Sequence, residues 1–360
     1  MNLNDALGLV QSRVRSLAKY HLEPEETSIK LNQNENPFDW PAAIKNEVAE
    51  FCRTRPWNRY PDFIPQALRE SLAAYTGVSA DGIIVGNGSN EMLLVLLLTF
   101  MGTNVPVIIC QPTFTVYRLL VNGLGGREER ILLNPDLSFN VEAIIERARA
   151  LPGSLLILCT PNNPTGGALT EADLQAILRV HTGIFICDQA YIEFGGYNAI
   201  PLLAEYPNLI ITRTFSKAFS AAGLRLGYLL GAPALIAEIN KIKLPYNVNV
   251  FSDSIARSAL RHTAILSERV ALLRAERDAQ YLFLRAQPFD AVYPSVANFI
   301  LVRTVRKKEL FEFLKKQGIL IRDVSAYPML EGCLRISVGT PDENSALRSA
   351  ISLFFNGNQS

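Results

Sequence analysis

One lysine, Lys217, stands among hydroxyls and a guanidinium in the segment TFSKAFSAAGLRLGY (214–228), with strand-like apolar runs on both sides. An amine near the end of a buried strand is partly desolvated, which favours the neutral nucleophile that forms a Schiff base with a carbonyl. Thr214 and Ser216 can hydrogen-bond phosphate oxygens, and Arg225 adds fixed positive charge in a planar fork suited to a phosphate dianion. An ordinary strand-to-helix junction with a snorkelling lysine would also fit this string. Taken as chemistry, the groups are those required by a covalently held, phosphate-bearing aldehyde, and pyridoxal phosphate (PLP) is such a compound.

Four further stretches can be asked whether they complete such a site. Asp188 follows the apolar run 183–187, which puts a carboxylate at the carboxyl end of a buried strand, where open α/β sheets place their ligands. A carboxylate there keeps a pyridine nitrogen protonated and so makes the ring an electron sink; a helix cap is the plainer use of an aspartate in that position. Tyr191, three residues on, can reach the phenolic oxygen of the ring. In CTPNNPTGG (159–167) the amide of Asn163 can donate to the same oxygen, although turn-rich strings are usually turns and nothing more. GNGSNE (86–91) brings Gly88, Ser89 and Asn90 to the start of a helix, whose exposed amides bind phosphate. Phe114 in QPTFTVY offers a flat apolar face for stacking on an aromatic ring, though alone it reads as core. Their order, all expected at the carboxyl ends of successive strands, gives every part of one cofactor a partner.

The elements that must position these residues follow from the apolar pattern. Continuous apolar runs at 82–85, 105–110, 129–133, 154–159, 184–187, 209–213 and 226–231 suit strands covered on both faces. Helical segments separate them, such as 170–179, where Thr170 and Asp173 have capping-box spacing. The reading is an α/β layer of about seven mostly parallel strands between helices. A helical pattern over 264–287 leads into a smaller α/β domain with strands at 298–303 and near Ile319 and Leu334, and a helix over 307–317. The domains expected are an amino-terminal arm (1–35) packing on the small domain or a neighbouring subunit, a large domain (36–248) and a small carboxyl-terminal domain (249–360).

Composition sets bounds on the function. With 360 residues, 49% of them hydrophobic, and a formal charge of +1, the chain buries a large core and has no charge bias toward nucleic acid or membrane. The longest apolar run, 92–101, is too short to span a bilayer and no secretory signal pattern opens the chain, so a cytoplasmic location is expected. The five cysteines lack metal-ligand spacing and read as buried thiols, and three unpaired histidines argue against a zinc site or a His-based triad.

With these residues in place, the chain resembles the fold-type I PLP-dependent aminotransferases and, among them, the histidinol-phosphate aminotransferases. The matching stretches include LNQNENP (31–37), NRYPDF (58–63), GNGSNE, QPTFTVY, CTPNNPTGG, DQAYIEF (188–194), TFSKAFSAAGLRLGY, PYNVN (245–249), GILIRD (318–323) and CLRISVGTP (333–341). The resemblance implies a homodimer with shared sites, in which Tyr60 crosses to the neighbouring subunit and touches the cofactor phosphate. It implies that Arg335 takes the carboxylate of the amino donor, that Arg322 and Tyr20 help to bind a substrate phosphate, and that Asn34 and Asn247 lie on the substrate side. It also implies the reaction: transamination between histidinol phosphate and 2-oxoglutarate in histidine biosynthesis, with Lys217 as Schiff-base lysine and proton shuttle. Two departures, Gln189 after the aspartate and Asn90 after the glycine-serine pair, bear on the substrate more than on the fold. The same scaffold also serves aromatic-amino-acid aminotransferases and threonine-phosphate decarboxylases. A non-catalytic regulator of this fold would need an added nucleic-acid-binding domain, for which the amino terminus is short and weakly charged.

Overall fold

The computed structural model describes residues 1–17, 27–102 and 104–357. In chain order its first strands are β1 (Ile29–Lys30), β2 (Ile83–Gly86), β3 (Pro106–Gln111), β4 (Arg127–Leu132), β5 (Leu155–Cys159), β6 (Phe185–Asp188), β7 (Leu209–Thr214) and β8 (Gly227–Leu230). The rest are β9 (Ala291–Tyr293), β10 (Phe299–Arg303), β11 (Ile319–Leu320), β12 (Arg322–Asp323) and β13 (Cys333–Ser337). Seven of them form one sheet in the order β2-β8-β7-β6-β5-β3-β4. The pairs from β7 through β4 are parallel, whereas β8 runs antiparallel to both β7 and β2. All seven coincide with the apolar runs to within a residue or two.

Strict alternation divides the sheet's side chains between two cores. Phe185 and Cys187 of β6 join one cluster with Leu156, Leu158, Leu209 and Ile211, while Ile186 joins the other with Ile109, Ile157, Ile210 and Leu229. Each such side chain contributes about 2 kcal/mol by leaving water, so the central strands are the rigid floor of the molecule. β4 is different. As an edge strand of sequence REERIL it keeps mostly charged residues outward and laces them with Arg127–Glu129 and Arg130–Glu128 ion pairs, which blunts edge-to-edge pairing. The expectation of a continuously apolar strand fails here, because within β4 itself only Ile131 is buried.

Helices cover both faces. The helix Glu171–Leu178 starts at a capping box in which Thr170 and Asp173 bond reciprocally, as their spacing requires. The long helix Thr263–Arg285 buries Leu266, Val270 and Leu273 against the large core and Leu284 in a separate one. That second core is built from Ile300 and Val302 of β10, Leu334 and Ile336 of β13, and the helices Lys307–Lys316 and Pro341–Asn356. β12, β13, β10 and β9 form its antiparallel sheet.

The amino-terminal arm touches both layers. β1 pairs in parallel with β11, and Leu31 enters the small core. Residues 12–15 form a short helix against the large layer, where Arg13 Nε donates to Gly123 O at 3.2 Å. Between β1 and the large domain the chain runs across one edge of the sheet, and that edge holds the site.

Candidate active site

Parallel strands β2, β3, β5, β6 and β7 all present their carboxyl ends to the same edge. Because β8 is antiparallel, the edge receives its beginning instead. Arg225, expected after a strand end, therefore enters from the residues just before β8, in a left-handed backbone conformation (φ 53°). There a cavity of about 370 Å³ opens between the sheet edge, the arm and the small domain. Thirteen of the sequence-predicted residues line it: Asn34, Ser89, Asn90, Phe114, Asn163, Asp188, Tyr191, Thr214, Ser216, Lys217, Arg225, Arg322 and Arg335.

Lys217 lies three residues past the end of β7, where Nζ donates to the backbone carbonyl of Gln33 at 2.8 Å. Burial, then the charge of Arg335 and further off that of Arg225, pushes its amine down to about 7, partly offset by Glu35. A fraction of the lysine is thus a neutral nucleophile near neutral pH.

Asp188 closes β6 and is 2% exposed. Its Oδ2 accepts from Tyr117 Oη at 2.6 Å and its Oδ1 from Ala190 N at 3.0 Å. Burial raises its proton affinity, and the Tyr117 and Ala190 hydrogen bonds pull it back. A buried carboxylate so placed is a seat for a cationic ring nitrogen. Phe114, in edge contact with Tyr117 at 5.6 Å between ring centroids, presents a flat face to the same space.

The phosphate-sized end lies opposite. The helix Gly88–Phe100 begins here without a side-chain cap, so the amides of its first turn have no side-chain acceptor. Gly88 has φ +79°, a conformation that favours glycine, and a Cβ there would come within 2.7 Å of Arg225 Nη2 and push the guanidinium aside. Gly88 stands behind Arg225 and does not itself line the cavity. Thr214 Oγ1 lies 3.0 Å from Ser216 Oγ, which accepts from Arg225 Nη1 at 3.3 Å. Two hydroxyls, a guanidinium and an open helix start form an anion cup. Lysine, ring-nitrogen seat, stacking face and cup together fit PLP.

Arg322 and Arg335 sit directly across from each other in the β12–β13 register. Directly opposed residues of an antiparallel pair project from the same face, so both guanidinium groups reach the cavity. Arg335 Nη1 donates to Asn163 Oδ1 at 2.5 Å and Nη2 to Asn32 O at 2.8 Å. With its carbonyl end so engaged, Asn163 keeps its NH₂ end for a ligand. Asn34, also left-handed (φ 56°), donates from Nδ2 to Tyr191 Oη at 3.0 Å, and its backbone amide donates to Ser337 Oγ of β13 at 2.9 Å. The arm thus ties the large-domain tyrosine to the small-domain sheet.

Two expected residues point elsewhere, and a third is not among the described residues. Tyr60 is 78% exposed and stacks on Tyr246 at 4.7 Å, away from the cavity of its own chain. Asn247 points onto Glu91 rather than into the cavity. Tyr20 falls outside the described residues. Sequence reading missed Tyr117, Gln33, Glu35, Cys159 and Tyr327, which also line the cavity. Tyr117 was within reach of it, three residues after Phe114 on the same helix start; Gln33 acts through a carbonyl that every residue has.

A family model described as aminotransferase class I and II matches residues 26–351. The histidinol-phosphate aminotransferase of Chlorobium phaeovibrioides is 38% identical over 356 residues, which cover 98% of this chain and 98% of that protein. The protein of the same name from Chlorobium limicola is 36% identical over 345 residues, covering 95% and 97%. Among solved structures, the histidinol-phosphate aminotransferase of Sinorhizobium meliloti in complex with pyridoxal-5'-phosphate has a TM-score of 0.84 at 23% identity, covering 96% and 97% of the two chains. The fold and the resemblance read from the motifs are borne out by these matches.

Proposed function

Because the chain belongs to the class I and II aminotransferases, enzymes that work with PLP, we propose that it transfers the amino group of histidinol phosphate to 2-oxoglutarate, giving imidazole acetol phosphate and glutamate in histidine biosynthesis. The observation that carries the substrate reading is the pair Arg322 and Arg335, opposed on one face beside Lys217. Two like charges side by side repel, and an anion shared between them relieves the cost. A phosphate of one substrate and a carboxylate of the other meet that need in turn, and Arg335 offers the carboxylate a bidentate fork. The curated relatives bearing the histidinol-phosphate name match over nearly the whole chain.

When bound, PLP supplies a carbonyl that captures amines and a ring that takes up negative charge. The chain's own groups do the rest. Lys217 would hold the cofactor through its amine and, as a base held near neutrality, would carry the proton that the transfer of the amino group requires. Asp188, braced by Tyr117, would hold the ring nitrogen in its cationic form. Of the other cavity-lining groups, Tyr191 and the Asn163 amide would serve the ring oxygen, Phe114 the ring face, and Thr214, Ser216, Arg225 and the Ser89–Asn90 helix start the phosphate.

The working form is a homodimer in the cytoplasm. Tyr60 and Tyr246 form an exposed aromatic surface, with Phe63 at 5.7 Å from Tyr246, and a second copy placed on it would receive Tyr60 at its phosphate cup. Among the described residues no helix is long and apolar enough to cross a membrane.

A spectral titration of the PLP-loaded protein tests the substrate. Histidinol phosphate should bleach the visible band of the bound cofactor at lower concentration than phenylalanine or threonine phosphate. Preference for phenylalanine would make the enzyme an aromatic aminotransferase, and release of carbon dioxide from threonine phosphate would make it a decarboxylase.

A further inference from the structure

The side chain of Asn247 faces away from the cavity and grips the start of the helix Gly88–Phe100. Its Nδ2 donates to Glu91 Oε2 at 3.0 Å and to Val85 O at 3.3 Å. Its Oδ1 accepts from Lys243 Nζ at 2.9 Å, and Lys243 is itself buried. The grip is returned by the helix: Asn87 Nδ2 donates to Asn247 O at 2.5 Å, and Asn87 N donates to the Glu91 carboxylate. Asn87 is the residue just ahead of the helix, and Glu91 lies in its first turn. The turn between them carries Gly88 and, on one wall of the anion cup, Ser89 and Asn90.

A helix start binds an anion through several amides at once, so its affinity depends on how firmly that turn is held. No side chain caps this helix. Glu91 braces the turn instead, accepting from Asn87 N and leaving the first-turn amides open, and Glu91 is in turn fixed by Asn247, whose other end is fixed by Lys243. A carboxylate in the first turn of a phosphate-binding helix would repel the ligand if it swung toward the cup. Asn247 Nδ2 holds it on the far side.

We infer that Asn247 is a positioning residue for the cofactor phosphate, acting through Glu91 on the first turn of the helix, and not a substrate-binding residue. This rests on the reading of that cavity edge as the phosphate seat. It separates Asn247 from substrate recognition and gives it a role in retaining PLP.

Two ligands separate this role from a general loosening: PLP, and pyridoxal, which lacks the phosphate. Apoprotein carrying Asn247→Ala, or Asn247→Asp as a shape-conserving second variant that loses the donor to Glu91, should bind PLP about tenfold more weakly, the factor for losing one hydrogen bond to a charged group. Pyridoxal should bind each variant as it binds wild type. Unchanged PLP affinity with a raised KM for the amino donor would overturn the inference, as would equal weakening of PLP and pyridoxal. Failure of the wild-type protein to bind PLP would instead sink the cofactor-site reading on which it stands.

Discussion

At the scale of single residues, the site is an arrangement of charges that burial makes expensive and a ligand makes useful. Asp188 is held by donors on both oxygens, yet burial still raises its proton affinity. A ring nitrogen that brings positive charge reverses that balance, and the carboxylate then keeps the ring cationic. Asp188→Asn should therefore retain PLP while kcat falls on the order of 10²-fold or more, the size of effect seen when a buried electrostatic partner is removed. Equal rates in steady-state assays would contradict the electron-sink role. Tyr117→Phe removes one of the two donors, so the carboxyl holds its proton to higher pH. The acid limb of the kcat profile should move upward in pH; an unmoved limb would show that Tyr117 only fills space. For Lys217 the sign is opposite. Its amine is pushed down to about 7, so apoprotein should capture PLP faster at pH 8 than at pH 6, following the neutral amine. Stopped-flow mixing across that range checks this, and a flat profile would contradict it.

At the scale of elements, the sheet edge decides what each residue can reach. Continuous apolar runs announced the central strands because both faces are buried, and alternation alone assigns their side chains to two cores. The pattern was blind to direction: nothing in Gly227–Leu230 says that β8 runs antiparallel, and hence that Arg225, just ahead of it, arrives at the same edge as the carboxyl ends of its neighbours. It was blind also to backbone chemistry, so the carbonyl of Gln33 that accepts from Lys217 left no trace in the sequence. Motif residues fared better because their side chains do specific work, and Tyr117 was overlooked only because a tyrosine in an apolar helix reads as core. Gly88 is where element and residue meet. Gly88→Ala puts a methyl group against Arg225 and forces a left-handed alanine, which costs about 1–2 kcal/mol. PLP affinity should fall more than thermal stability does. Parallel measurement of PLP binding and apoprotein Tm would contradict this if only Tm dropped.

At the scale of the whole molecule, the arm and the two sheets converge on one cavity, which the proposed second subunit would complete. Residues 32–34 of the arm bond to Lys217, Tyr191, Arg335 and Ser337, so the reactive amine and the anion-binding arginine share one loop. Tyr60 lies outside its own chain's cavity and is free to complete another's. Mixing Tyr60→Ala with Lys217→Ala subunits should restore activity to a pool in which neither variant alone is active at wild-type level, because each mixed dimer contains one intact site. No recovery after subunit exchange would place Tyr60 outside the shared site. All of these expectations depend on a covalent bond between PLP and one side chain. Borohydride reduction of the PLP-loaded protein, followed by peptide mass mapping, tests that bond directly. The account predicts the pyridoxyl-phosphate mass on the peptide carrying Lys217; a label on another lysine, or none on a protein that has bound PLP, would contradict it.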